Sequence, residues 1–136
     1  MKSFLLKAAW ILLFAIPFIV KSDDAPVIGV VDLIDNWDVY QDKTVRVKGY
    51  ASMGFEACVL WPDDPERSRI PFEYWVWYSE LGTGCAPGES GKQEKYGYVI
   101  IKGVFNKHSG GHLGMYNGTI YDATITWLDD SNKLNE

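Results

Sequence analysis

The spacing of apolar residues changes character along this 136-residue chain. Ala8 to Val20 is an unbroken apolar stretch, with Lys2 and Lys7 ahead of it and Lys21-Ser22-Asp23-Asp24 behind. Val30, Leu33, Ile34 and Trp37 then recur at helical spacing, which predicts a short amphipathic helix. Asn36 to Lys43 holds polar turn formers and no glycine, and reads as a connection into a strand. From Thr44 the period becomes two. Val45, Val47, Ala51, Met53 and Phe55 fall on one face, and Thr44, Arg46, Lys48, Tyr50 and Ser52 on the other, the pattern of a long, half-buried strand. Gly49 and Gly54 interrupt it. Glycine inside a strand marks a bulge or a bend, so the strand is expected to curl and turn a corner near Gly54 into a second strand, Glu56 to Trp61.

Beyond a polar loop with Pro62, Pro65 and Pro71, which extends neither neighbouring strand, the aromatic segment Phe72 to Tyr78 predicts a third strand. Alternation assigns Phe72, Tyr74, Val76 and Tyr78 to one side of it and Glu73, Trp75 and Trp77 to the other. Tyr96 to Phe105 predicts a fourth, with Val99, Ile101 and Phe105 in phase and Gly103 where a side chain would crowd the core. The fifth is expected over Gly118 to Leu128, where the phase slips between Ile120 and the series Ala123, Ile125, Trp127, a sign of a bulge at Tyr121-Asp122. Five strands with a long, bent first one predict an all-β chain with one short N-terminal helix. The architecture expected is a five-stranded antiparallel barrel like the oligonucleotide/oligosaccharide-binding (OB) barrel. An immunoglobulin-type sandwich would need about seven strands.

The apolar run is shorter than the roughly twenty residues a spanning helix needs and carries Pro17 near its end, as a secretory peptide does. Val20 and Ser22 occupy the −3 and −1 positions of a cleavage after Ser22. Residues 1–22 are thus read as a signal peptide and 23–136 as one exported domain with its barrel core over 30–128, periplasmic or secreted; an uncleaved leader would tether it to a membrane. The leader's charges are Lys2, Lys7 and Lys21, so the mature part keeps ten of the 13 basic residues against 18 acidic ones, a formal charge near −8. That balance makes nucleic acid an unfavoured partner, because such binders neutralise phosphates with Lys and Arg. In an oxidising compartment Cys58 and Cys85 are expected to pair, the alternative being two separate buried thiols.

Val31-Asp32-Leu33-Ile34, Tyr40 to Tyr50, Phe55-Glu56, Tyr98 to Phe105 and Gly111-His112-Leu113-Gly114 together resemble a group of small exported bacterial proteins with an OB-like barrel and no assigned activity. The resemblance covers most of residues 30 to 126. It implies a fold and a compartment, and no reaction or catalytic residues. Asp42 departs from the pattern, which carries glycine before the lysine.

Candidate chemistry is sparse. His108 and His112 stand four apart, but Ser109-Gly110-Gly111 opposes a helix that would aim both at one metal, and a third ligand such as Asp122 or Glu56 would have to converge. No cofactor or resident metal is expected. Glu56, among Phe55, Ala57 and Cys58, is the one candidate for a general acid, and it lacks the second carboxylate a glycosidase requires. No nucleophile elbow, HExxH, phosphate-cradling loop or dinucleotide fingerprint occurs. Asn117-Gly118-Thr119 is a glycosylation sequon. Arg46 and Lys48, with Lys43 nearby, make a short basic stripe beside Tyr50, either a solvated strand face or a contact for an acidic partner or lipid phosphates.

Two features suit binding. Trp75 and Trp77 would form a stacking platform unless the helix and loops cover them, and the loop from His108 through His112 to Tyr116 joins strands four and five, beside the ligand face of an OB barrel. The expected function is a non-enzymatic interaction module of the cell envelope whose ligand is a protein or a glycan. The rival readings are a single-stranded nucleic-acid binder and a small hydrolase using Glu56.

Overall fold

The computed structural model describes residues 25–54, 57–79 and 95–128. A short strand β1 (Val27–Gly29) leads into the helical turns α1 (Val30–Asp35) and α2 (Trp37–Tyr40). The strands β2 (Thr44–Met53), β3 (Val59–Trp61), β4 (Val76–Tyr78), β5 (Lys95–Asn106) and β6 (Thr119–Trp127) follow. They neighbour one another in the order β2-β3-β4-β6-β5, and β5 closes back on β2 from Thr44–Val104 to Met53–Lys95. The expected closed five-stranded, OB-like barrel is therefore present, with β1 added to β2 in parallel. It is mixed rather than wholly antiparallel, because β4 runs parallel to β6 through Trp77–Thr119 and Tyr78–Ile120.

The alternating pattern of the long strands sets the interior. Val45, Val47 and Ala51 of β2, Leu60 of β3, Val76 and Tyr78 of β4, Val99, Ile101 and Phe105 of β5, and Ile120 of β6 fill the barrel. Val30, Leu33 and Ile34 of α1 are buried with the same cluster. Gly49 and Gly103 serve close approach. A Cβ on Gly49 would lie 2.8 Å from Leu60 Cδ1, and one on Gly103 2.6 Å from Ile120 Cγ2. The bulge falls where the phase slip put it: Lys102 pairs with Thr124 but Val104 with Tyr121, and Asp122 takes φ 52°.

Several boundaries differ from the sequence reading. The helical segment does not run through to Trp37. Asn36 breaks it, folding its side chain back onto Asp32 Oδ1 at 2.7 Å, and α2 forms within the stretch expected to be a connection. Ser52, assigned to the outward face, is buried, while Met53, assigned inward, is half-buried. The phase slips there because β2 bends toward Gly54, and the corner satisfies Ser52 by letting its hydroxyl donate to Ala57 O at 2.5 Å. The third strand is reduced to Val76–Tyr78, since Phe72–Tyr74 closes a 3-10 turn after Pro71. Asp42 adopts φ 59°, the left-handed conformation a glycine would supply; aspartate tolerates it, and its N–H donates to Phe105 O at 2.8 Å.

Candidate binding surface

Residues of β3 and β4 that point away from the barrel interior carry large rings, and the structure divides them into two groups. Trp77 is only 6% exposed. His112 stacks on it at 5.7 Å between ring centroids and Tyr116 leans on it at 5.0 Å, so the loop between β5 and β6 covers the ring. Burial raises the Tyr116 hydroxyl pKa. Trp75, two residues earlier, belongs to a second group: it meets Trp61 edge to face at 5.9 Å and Phe72 at 5.4 Å. Trp61 continues through its cross-strand partner Tyr50 to Tyr98 on β5, giving a belt of rings across three strands and the turn before β4. The indole N–H groups of Trp61 and Trp75 are buried without a hydrogen-bond partner among the described residues.

Of the sequence-based platform, Trp77 is thus covered, while Trp75 is half-buried against Trp61 and Phe72. Trp77, His112 and Tyr116 come together as one packed unit. His108 does not join them, packing edge to face on Trp37 of α2 at 5.1 Å. Each histidine is engaged with a different tryptophan, and among the described residues no group of three His, Cys, Asp or Glu side chains is placed to hold a metal ion. Cys58 is fully buried at the corner before β3. Glu56 and Cys85 lie outside the described residues, as does the leader.

What the covering loop leaves outside is apolar. Gly111 (φ 61°) and Gly114 (φ 67°) bracket a tight 3-10 turn, His112–Gly114, in which Leu113 itself sits in the left-handed region at φ 56°, ψ 15°. That conformation is strained for a leucine. It leaves Leu113 78% exposed, with Met115 beside it at 54%. Asn117 ties this loop to the turn before β4, its N–H donating to Trp75 O at 3.0 Å and its side-chain amide to Phe72 O at 2.9 Å. Phe72, half exposed, therefore stands beside the same loop. Leu113 and Met115 of the loop, with Phe72 of the turn tied to it through Asn117, make up its exposed apolar rim.

Sequence reasoning located the loop and missed its tips. The available signal was a leucine between two glycines in a polar loop, an arrangement that exposes the side chain it flanks. The Asn117 amide, the sequon's acceptor, is engaged in holding the rim together.

No family model, curated protein or solved structure matches this chain.

Proposed function

We propose that the chain is an exported, non-enzymatic binding module of the cell envelope, and that its partner is a protein held on the rim of Leu113, Met115 and Phe72. The observation that carries this reading is Leu113. A leucine kept in a strained backbone conformation and turned into water costs stability on both counts, and a partner that covers the side chain recovers the exposure cost. A glycan has less support. Sugar stacking needs an open ring face, and Trp77 is occupied by His112 and Tyr116 while Trp75 packs against Trp61 and Phe72. Leucine and methionine suit the apolar centre of a protein interface. Single-strand nucleic-acid binding is opposed by a formal charge of −5 on the whole chain.

Export rests on the leader-like residues 1–22 and on the cysteines. In an oxidising compartment Cys58, buried at the corner before β3, and Cys85, the chain's one other cysteine, would pair by default.

The reading is tested by placing a photoreactive amino acid at position 113 or 72 in the native host. The same discrete protein adducts are expected from both positions, and they should be lost when Met115→Asp is added. Thr124, on β6, is the control position. Adducts at 113 and 72 no different from those at 124 would overturn the proposal.

A further inference from the structure

Of the chain's three methionines, Met1 falls in the leader-like segment, and the other two stand in different surroundings. Met53 ends β2 half-buried, where the strand turns its corner. Met115 projects from the loop between β5 and β6 and is 54% exposed. It follows the strained Leu113 by two residues, and both belong to the apolar rim that includes Phe72. Its own backbone is relaxed at φ −89°, ψ −11°, with the N–H donating to His112 O at 3.3 Å. Its side chain is no part of the barrel core, so a chemical change at the sulfur would alter the rim and leave the fold intact. The thioether is also the rim's one nucleophilic centre, since Leu113 and Phe72 offer only hydrocarbon.

We propose that Met115 is an oxidation site that switches the rim off, its thioether being converted to a sulfoxide by hydrogen peroxide. The inference rests on the reading of Leu113, Met115 and Phe72 as a protein-binding surface. In the reaction a sulfur lone pair attacks one oxygen of the peroxide. The S–O bond forms as the O–O bond breaks, and the departing hydroxide takes up the proton of the transferred oxygen and leaves as water. The sulfur loses two electrons and the peroxide gains them. Methionine sulfoxide is polar and chiral where the thioether was apolar and adaptable. A partner built to cover Leu113 and Phe72 would have to strip water from the new S–O oxygen and give it no donor in return, which opposes binding. Thiol-dependent reduction of the sulfoxide restores the thioether, so the change is reversible. An exported chain meets such oxidants outside the reducing cytosol.

The full chain carrying the photoreactive residue at position 72 provides the test. Under graded hydrogen peroxide, followed by peptide mass spectrometry, Met115 should convert to the sulfoxide ahead of the half-buried Met53, because exposure admits the oxidant. Full conversion of Met115 should weaken formation of the protein adducts about tenfold, the effect of one unpaired polar group in an interface. Methionine sulfoxide reductase should then restore them. Met115→Leu removes the sulfur, so peroxide should leave that variant's own adduct yield unchanged, whatever its untreated value, whereas Met53→Leu should keep the full response. Adducts that persist at the untreated level once Met115 is fully converted would overturn the switch. So would a peroxide response retained in Met115→Leu, or Met53 oxidising as fast as Met115. Absence of adducts before any treatment is a different result: it overturns the binding reading, and this inference falls with it.

Discussion

Tyr98 shows how one side chain ties a proline-rich loop to a barrel strand. It points outward from β5, packs edge to face on Tyr50 and donates its hydroxyl to Asp63 Oδ1. Asp63 also accepts the Asp64 N–H at 2.8 Å and the Ser68 hydroxyl at 3.2 Å. The Tyr98 hydroxyl, followed by the Asp64 N–H, holds the Asp63 carboxyl below its ordinary range. The same bond to Asp63, with partial burial, pushes Tyr98 up to about 12. Asp63 therefore contributes stability that is present above its ordinary value of 3.8 and is lost as pH falls through its lowered value. Tyr98 contributes stability that is complete below 10.0 and is lost as pH climbs through about 12. One hydrogen bond is seen from its two ends, and solvent access keeps its worth small. Tyr98→Phe should raise the Asp63 pKa and remove a tyrosinate transition near 12 from the wild-type-minus-variant absorbance titration. An unchanged carboxyl titration in that variant, followed by NMR, would mean the bond is not what lowers Asp63. The chemistry of this pair was not legible in the sequence, because the partners lie 35 residues apart, one in the proline-rich loop and one on a strand, and only the folded barrel brings them together.

At the scale of the element, the loop between β5 and β6 is both a cover and a display. Gly111 adopts φ 61°, ψ −146°, a conformation open essentially to glycine alone, and a Cβ there would overlap Trp77 Cβ and Cγ. Gly111→Ala should destabilise the domain by about 2 to 4 kcal/mol through strain and overpacking. It should also lift the loop from Trp77, read as a shift of the Trp77 resonance in fluorotryptophan NMR toward the solvent-exposed value. A wild-type resonance would mean that the loop does not depend on this contact. The long strands were legible because nine or more residues of alternation average out local exceptions, and the β6 bulge was legible because it leaves a slip in that alternation. β4 was placed but overextended. All three of its residues are buried, so alternation carries no information about which side is covered. α2 was missed because a four-residue helix has too few positions to show a period.

For the molecule as a whole, the outward strand faces differ: Trp61, Tyr50 and Tyr98 make an aromatic belt, whereas Arg46, Lys102 and Thr124 stand in register across β2, β5 and β6. The proposed Cys58–Cys85 bridge would staple the corner before β3 to the segment preceding β5, closing a loop whose constraint is worth about 3 to 4 kcal/mol in the unfolded state. Reductant, or Cys85→Ser, should lower the unfolding free energy by about that amount in urea titration. Identical curves with and without reductant would exclude the bridge. Closure also decides strand direction. β4 reaches β6 rather than β5, and the return path makes that seam parallel, with Trp77 N–H donating to Gly118 O at 3.0 Å and Ser79 N–H to Ile120 O at 2.9 Å.

The sequence by itself determined the inward set, from Val45 and Val47 through Val99 and Ile101 to Ile120. A residue's face on a pleated strand follows from its parity, and burial selects the apolar face. It also determined where glycine was required, at Gly103 against the β6 bulge. Only the tertiary structure decided what lies over the outward face. Parity placed Trp75 and Trp77 outside but could not say that His112 and Tyr116 would fold down on one and Trp61 and Phe72 pack the other. Nor could it say that Lys102 would stand opposite Arg46, since the two, with 55 residues of intervening chain, are brought into register only when β5 closes on β2.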